Sequence, residues 1–400
     1  MRPVIVYLFT TFPKSTELFM QREITSLRVS GANLRIYSLW GGGGEFEGVR
    51  VVNFAKWRLV TLCWLAPWHT LLRPRAFAEV ARGLFRRRPP SWINFLENML
   101  GAAFATAYAG EIGRERPALV HAAWGGAPAT AAWLLWRYYG HRFSAACHAY
   151  DVYQDDGDWW LCEKLATARF VHTSTAMVRK TLIVRGLPPD NIHAILSGLA
   201  EFPACKPLRT PRPVLRLLCV ARLVPKKGLD HQLRIYAALK AAGVPFEARI
   251  AGDGSLRESL EQLARELGVV QQVAFLGHRP PDEIAEQFRW ADVMLHTGVV
   301  AADGDRDGLP NVIPEAMAAG VLVFTSEAAA TTEAISDGVT GRVLPPEAAA
   351  RWVEALVALR DDDRLAGRLR QGARSWVEEN FDAHKNTARL AELFEEAIKP

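Results

Sequence analysis

One alternation, run twice, constrains this chain more than any other feature. Short β-branched or apolar runs are separated by stretches of helical period. "VIVYLF" (4–9), "LRIYSL" (34–39), "VRVVNF" (49–54), "ALVHAAW" (118–124), "FSAACHAY" (143–150), "ARFVHTS" (168–174) and "NIHAIL" (191–196) form the first series. "LRLLCVARL", "FEARIAGDG", "VAFLGH", "DVMLHTG", "VLVFTS" and "GRVLPP" form the second. Strand patterns separated by helical ones predict parallel sheets with crossover helices. The first helical stretch, "STELFMQREITSLRVSG" (15–31), offers Ser15 as N-cap, an apolar face of Leu18, Phe19, Ile24 and Leu27, and Gly31 as terminator. Between the series lies "EFPACKPLRTPRPV" (201–214), with four Pro in fourteen residues and no periodicity, the pattern of an interdomain linker. Four hundred residues exceed one ordinary core. The expected fold is therefore α/β, with two doubly wound domains. Their expected limits are 1–203 and 214–380, with a linker at 204–213 and an amphipathic terminal helix, 381–400, packing towards the first domain.

Charge is divided unequally. Residues 1–200 hold 23 Lys+Arg against 14 Asp+Glu, and the remainder 25 against 29. The basic half also carries ten of the thirteen Trp. That combination suggests an anionic partner such as a membrane surface. Nucleic acid fits less well, because no basic recognition helix or RNP-type sequence is present. "WRLVTLCWLAPWHTLLRPR" places Trp57, Val60, Thr61, Trp64 and Trp68 at helical spacing beside Arg58, Arg73 and Arg75, and "RRRPP" (86–90) adds charge. Two readings stay open: a surface for anionic lipid, or a helix buried in the first domain and interrupted by Pro67. The first residues lack the pattern of an export signal, and "LVTLCWLAPW" is too short to span a bilayer. Five scattered cysteines without a C-x-x-C pair suggest reduced thiols. The expected location is cytoplasmic, with a peripheral contact at the inner face of the membrane.

In doubly wound folds, chemistry gathers just after strands. "ARLVPKKG" (221–228) follows one strand and precedes a helix, so Arg222 and Lys227 would meet an anion at that helix N-terminus. Gly252 and Gly254 in "AGDGS" allow a backbone to come close, either to a ligand or in a tight turn. His278 and Arg279 follow the next strand, where a nucleobase could rest on the backbone. In the first half, His148 and Asp151 follow "FSAAC", and His121 occupies a similar place. No G-x-G-x-x-G follows a first strand and no G-x-x-x-x-G-K-[ST] occurs, which weakens dehydrogenase and P-loop readings.

"DGDRDGLPNVIPEAMAAG" (303–320) admits three readings. Asp303, Asp305, Asp307 and Gly308 could open a calcium loop, yet its twelfth position is Pro314, with Glu315 one residue late. Asp303-Gly304-Asp305 alone could hold a metal–diphosphate. Asp307 and Glu315 could be the paired acids of a sugar-nucleotide site, with Pro314 in the first turn of a helix. The paired-acid reading fits a chain that carries its own cations for a diphosphate.

Together these motifs resemble family 4 of the retaining, GT-B-fold glycosyltransferases. "ARLVPKKGLD", "IAGDGSLRESLE", "VAFLGH", "GLPNVIPEAMAAGVLVFTS" and "ISDGVTGRVLPP" come in the family's order and spacing. "FPKSTELFMQREI" and "HAYDVY" are similar to the bacterial exopolysaccharide, colanic-acid-type subgroup. The resemblance implies two Rossmann-like domains facing each other across a cleft, and transfer of a sugar from a UDP- or GDP-linked donor to a hydroxyl with retention. It implies no cofactor and no metal. Arg222 and Lys227 would hold the diphosphate, Glu315 the ribose, and Asp307 the donor sugar. The segment Gly308, Leu309, Pro310 and Asn311 would hold sugar and phosphate through its backbone N–H groups, of which Pro310 supplies none. His148 would stand by the reaction centre. Thr10, Thr11, Ser15 and Glu17 would face the acceptor, with His121 and Asp151 assigned to the same side. Two departures matter: Asp307 stands where the family usually has Glu, and Ala221 where it has Gly. An epimerase of the same architecture, or a weakly catalytic sugar-nucleotide-binding protein, is the alternative.

Overall fold

The computed structural model describes residues 3–14, 16–85, 88–210 and 212–399. The chain forms two compact units, residues 1–200 with 383–400, and residues 201–382. Unit 1 is built on an eight-stranded sheet. Its strands are β1 (Val4–Thr11), β2 (Asn33–Gly41), β3 (Glu45–Phe46), β4 (Val49–Asn53), β5 (Leu119–Ala122), β6 (Phe143–Ala146), β7 (Val171–Thr173) and β8 (Ile192–Ala194). Their order is β3-β4-β2-β1-β5-β6-β7-β8, and all pairs are parallel except β3–β4.

The period of two along β1 explains its apolar run. Val6 and Leu8 enter a core with Phe104, Tyr108 and Ile112, while Ile5, Tyr7 and Phe9 enter another with Met20, Ile24 and Leu27. Leu390 and Phe394 of the terminal helix Ala383–Ile398 complete that second core. Arg142 further fixes the end of this helix by donating to the carbonyl of Lys399 at 2.7 Å.

Unit 2 repeats the design with six parallel strands: β9 (Leu215–Val220), β10 (Phe246–Ala251), β11 (Val273–Gly277), β12 (Val293–His296), β13 (Leu322–Thr325) and β14 (Arg342–Val343). The order is β11-β10-β9-β12-β13-β14. The proline-rich stretch is stitched onto this unit. Arg209 pairs with Asp292 (3.1 Å from Nε to Oδ1), and buried Arg212 donates to the Leu359 carbonyl (2.7 Å) and Asp363 (2.8 Å).

The first helix departs from its sequence reading. It runs Leu18–Val29, with Glu17 in the N-cap position and no side-chain cap. Ser15, the expected cap, lies outside the described residues. Met20, Ile24 and Leu27 are its buried apolar positions, and Gly31 follows at φ +85°.

Polar residues also brace unit 1 from within. Lys164, fully buried, donates to Asp158 (2.8 Å), Asn98 (2.9 Å) and Thr130 (3.0 Å). The cluster ties the helices Trp92–Arg114 and Ala127–Tyr139 to the short helix Leu161–Leu165. A buried charge is tolerated only when paired and hydrogen-bonded. Lys164→Met strands the Asp158 carboxylate, so urea denaturation is expected to show a loss of about 3–5 kcal/mol.

Candidate functional site

Unit 2 changes direction between β9 and β12. The chain leaves β9 towards β10 on one side, and β12 towards β13 on the other, so the two following loops part and leave a crevice at the strand ends. The loop after β9 carries a 3₁₀ turn, Pro225–Lys227, then Gly228 at φ +57°. A Cβ at Gly228 would stand 2.1 Å from the Thr297 carbonyl oxygen, so this position must be glycine. Thr297 Oγ1 donates to the Gly228 carbonyl (2.9 Å), and Val299 N to that of Lys226 (2.9 Å). These contacts lock the loop after β9 to the loop after β12.

The lock brings opposite charges together. Lys227 Nζ donates to Asp307 Oδ2 (2.5 Å), and Lys226 Nζ lies 3.4 Å from Asp307 Oδ1 and 3.0 Å from Asp305 Oδ1. His296, at the end of β12, places Nε2 3.7 Å from Asp307 Oδ2. Burial by itself would push the Asp307 carboxyl up. The Lys227 ammonium, His296 and Lys226 outweigh it and hold the group well below the usual carboxylate range. Burial lowers His296, with the Asp307 contact opposing it. Asp303 is exposed and accepts from the Asp305 amide at 3.0 Å.

Sequence reasoning singled out Lys227 and left its neighbour aside, yet Lys226 is the more buried cation and bridges both aspartates. It weighed Asp305 only as a metal ligand and gave it no part in the paired-acid reading, and it passed over His296. His296 ends a strand, as "VMLH" already shows, and the criterion applied to His148 would have found it. Arg222 is exposed and makes no ion pair among the described residues. Gly252 and Gly254 serve the fold itself. A Cβ at Gly252 would stand 1.8 Å from the Ala221 carbonyl oxygen, and one at Gly254 would stand 2.5 Å from that of Leu223. Their small size lets the loop after β10 press on the loop after β9. His278 is exposed after β11, and Arg279 pairs with Glu283 at 2.9 Å. Gly308 to Asn311 lead into the helix Val312–Ala318, with Pro314 and half-buried Glu315 in its first turns.

Unit 1 has its own reversal, between β1 and β5. Thr10 and Thr11 close β1, and Glu17, paired with Lys14 (2.7 Å), follows in the next loop. His148 caps the short helix Ala149–Tyr153 after β6. Its ring packs against Trp124 (centroids 4.7 Å apart) and Phe19 (5.6 Å), and its Nδ1 is 3.5 Å from Ser174 Oγ. Burial pushes this imidazole down to about 4. His148 lines a small pocket of mixed character, with Arg22, Glu23, His172, Ser174 and Asn386 among apolar Phe19, Ile195 and Leu390. Glu23 accepts from Tyr7 (2.6 Å), and burial raises its carboxyl to about 7 against that bond.

Two residues assigned to the acceptor side belong elsewhere. Asp151 is buried, and its carboxylate accepts from the backbone amides of His148 (2.9 Å) and Gly126 (3.1 Å). It joins the loops after β5 and β6 instead of facing a substrate. His121 is fully buried inside β5, bonded to Ser144 (2.8 Å) and enclosed by Tyr7, His172 and Phe394. It is a core histidine, because the strand's inward period carries it into the layer beneath the sheet.

Residues 206–376 match the family model described as "Glycosyl transferases group 1". The chain is 33% identical over 215 residues to the amylovoran biosynthesis glycosyltransferase AmsK of Erwinia amylovora, covering 54% of this chain and 53% of that one. It is 33% identical over 183 residues to a GDP-mannose-dependent alpha-(1-6)-phosphatidylinositol monomannoside mannosyltransferase of Mycolicibacterium smegmatis, covering 46% and 47%. The chain thus spans about half the length of the curated relatives it matches. Among solved structures, Anabaena Alr3699/HepE in complex with UDP superposes with a TM-score of 0.73 at 17% identity, covering 99% of this chain and all of that one. Sucrose-phosphate synthase from Thermosynechococcus elongatus gives 0.73 at 15%, covering 99% of each. These likenesses show the fold, two parallel-sheet domains of the GT-B type.

The His148 ring is expected to stay neutral at pH 6 and to take its proton only as the pH falls to about 4. Long-range ¹H–¹⁵N correlation of the imidazole nitrogens measures this, and a midpoint near the unperturbed value of about 6.5 would contradict the burial argument. The unfolded chain binds that proton at the higher pH. Acidification between the two values therefore withdraws stability from the fold.

Proposed function

We propose that the protein transfers a sugar from a UDP- or GDP-linked donor to an acceptor hydroxyl, with retention and without a metal, in the synthesis of an exopolysaccharide or lipid-linked glycan. The observation that carries this reading is the set of cations at the unit 2 crevice, Lys226, Lys227 and exposed Arg222. A nucleotide-sugar donor breaks its bond by releasing a diphosphate, and the developing charge needs positive groups fixed in advance. Asp305 and Asp307 hold the two ammonium groups in place before a donor arrives. The family match of residues 206–376, and relatives named for amylovoran and colanic acid biosynthesis, support the same class. HepE was solved with UDP-glucose, which supports a nucleotide-linked donor.

In this reading the diphosphate takes the lysines, and Asp307 turns towards a hydroxyl of the donor sugar. Glu315 accepts from the ribose. Retention follows a same-face displacement. The acceptor oxygen bonds to the anomeric carbon as the bond to the phosphate breaks, and the acceptor's proton passes to a leaving-phosphate oxygen. The carboxylate of Asp307, locked in its ionised form, also favours the oxocarbenium character of the sugar. Neutral His148, in unit 1, hydrogen-bonds a sugar hydroxyl, and Thr10, Thr11 and Glu17 serve the acceptor.

Arg222→Ala and Lys227→Ala are each expected to lower kcat/KM by about 10²–10³-fold, measured as nucleoside diphosphate release across a panel of UDP-, GDP- and ADP-sugars. Near-normal turnover in either variant overturns the assignment. Asp307→Glu adds one methylene to the reach of the acid. It is expected to change the ratio of kcat/KM between donor sugars, and an unchanged ratio removes Asp307 from the sugar site.

A further inference from the structure

The stretch between β4 and β5 forms a helical insertion: a 3₁₀ segment Lys56–Thr61 and the helices Leu62–Leu72, Pro74–Phe85 and Trp92–Arg114. Such an insertion would ordinarily hide its apolar residues. This one displays them. Trp64, Trp68, Leu71 and Leu72 make one exposed face of the helix Leu62–Leu72, at positions i, i+4, i+7 and i+8. Trp92, Leu96 and Met99 stand at i, i+4 and i+7 at the start of the long helix, with Ile93 beside Trp92, and Trp57, Val60, Phe77 and Phe85 add to the surface. Trp92 is 77% exposed and Leu71 79%. The alternative that this span is a buried helix is therefore overturned. Pro67 lies within its helix without ending it.

Around these side chains lie cations. From 56 to 99 the sequence carries eight Lys and Arg and two acids, Glu79 and Glu97. Arg86 and Arg87 lie outside the described residues, while Lys56, Arg73, Arg75, Arg82 and Arg88 are exposed. Glu79 is already paired with Arg137 (2.5 Å), and half-buried Glu97 accepts from Tyr150 (3.3 Å), so no exposed carboxylate opposes them among the described residues of this segment. Exposed apolar surface of this extent marks an interaction site. Three observations choose its partner. Trp is the dominant exposed aromatic, as in side chains that settle at a bilayer's headgroup level. Every exposed charge among the described residues of the segment is positive, which complements anionic lipid and would repel a second copy docked face to face. No helix among the described residues is long and apolar enough to cross a membrane, so contact would be from one side.

We infer that the helical insertion at residues 56–99 docks onto anionic phospholipid, with Trp57, Trp64, Trp68, Trp92, Leu71 and Leu96 entering the headgroup–acyl boundary and the arginines meeting lipid phosphates. The inference stands on this surface and does not require the transferase reading. It is compatible with a lipid-linked acceptor delivered to unit 1, but its test uses no sugar.

The full chain is mixed with vesicles of phosphatidylglycerol and phosphatidylcholine (1:1), and with phosphatidylcholine alone, and sedimented at low and at high salt. Binding is expected to the anionic vesicles, weakening at least about tenfold in 0.5 M salt, with a blue shift of Trp emission. Trp64→Ser/Trp68→Ser is expected to lower vesicle affinity about tenfold or more while the circular dichroism and Tm stay close to the parent's. Arg73→Glu/Arg75→Glu should remove the preference for anionic lipid. No co-sedimentation at low salt overturns the inference. So does salt-sensitive binding that the Trp pair leaves unchanged, because the apolar face would then be outside the bilayer. A dimer on sedimentation velocity that Trp64→Ser/Trp68→Ser dissociates would assign the surface to a second copy and overturn it too.

Discussion

A parallel strand covered on both faces accommodates little charge along its length, because most side chains point into one apolar layer or the other. In this protein that constraint drives the polar chemistry out to the carboxyl ends of the strands. β9 runs as Leu-Arg-Leu-Leu-Cys-Val, and its successors in the chain are Arg222 and the two lysines. β12 ends at His296, and its loop holds Asp305 and Asp307. The reversal of strand order then sets these two loops side by side. Charge repelled by the sheet is collected at the one place where the topology leaves space.

What stands there is a balanced cluster, two ammonium groups against two carboxylates. Isolated, each would suffer from burial, and their pairing offsets that cost. The lysines are consequently held in position in advance, a property that a site for a departing anion requires. The glycines of the neighbouring loops make this possible. Gly228 admits Thr297, and Gly252 admits the Ala221 carbonyl, so two backbones touch where any side chain would separate them.

The histidines illustrate the limit of reading strand ends from a sequence. His121 and His148 look alike in the chain, each near the end of an apolar run. One lies within its strand and is sealed under the terminal helix, while the other comes after its strand and lines a pocket. Asp151, three residues on from His148, resembles a substrate contact but closes a capping box with the His148 backbone and reaches Gly126. Residue type and spacing are the same for a capping acid and a binding acid. Only the direction of the carboxylate separates them, and that is fixed by neighbours distant in sequence.

The sequence by itself determined the architecture. Mostly apolar runs at positions 4–9, 34–39, 215–220 and 293–296, alternating with amphipathic stretches, pointed to parallel strands joined by crossover helices. It also determined that cations and paired acids follow strands, as at Arg222, Lys227, Asp307 and Glu315. The tertiary structure decided what those residues meet. It brought Lys226 onto Asp305 and Asp307 from about eighty positions away. It turned Gly252 towards a carbonyl, and it left the tryptophans between 57 and 92 on the outside, where the helical period alone was equally consistent with a core. Periodicity reports which face of an element is apolar. Whether that face is covered depends on what the rest of the chain brings against it.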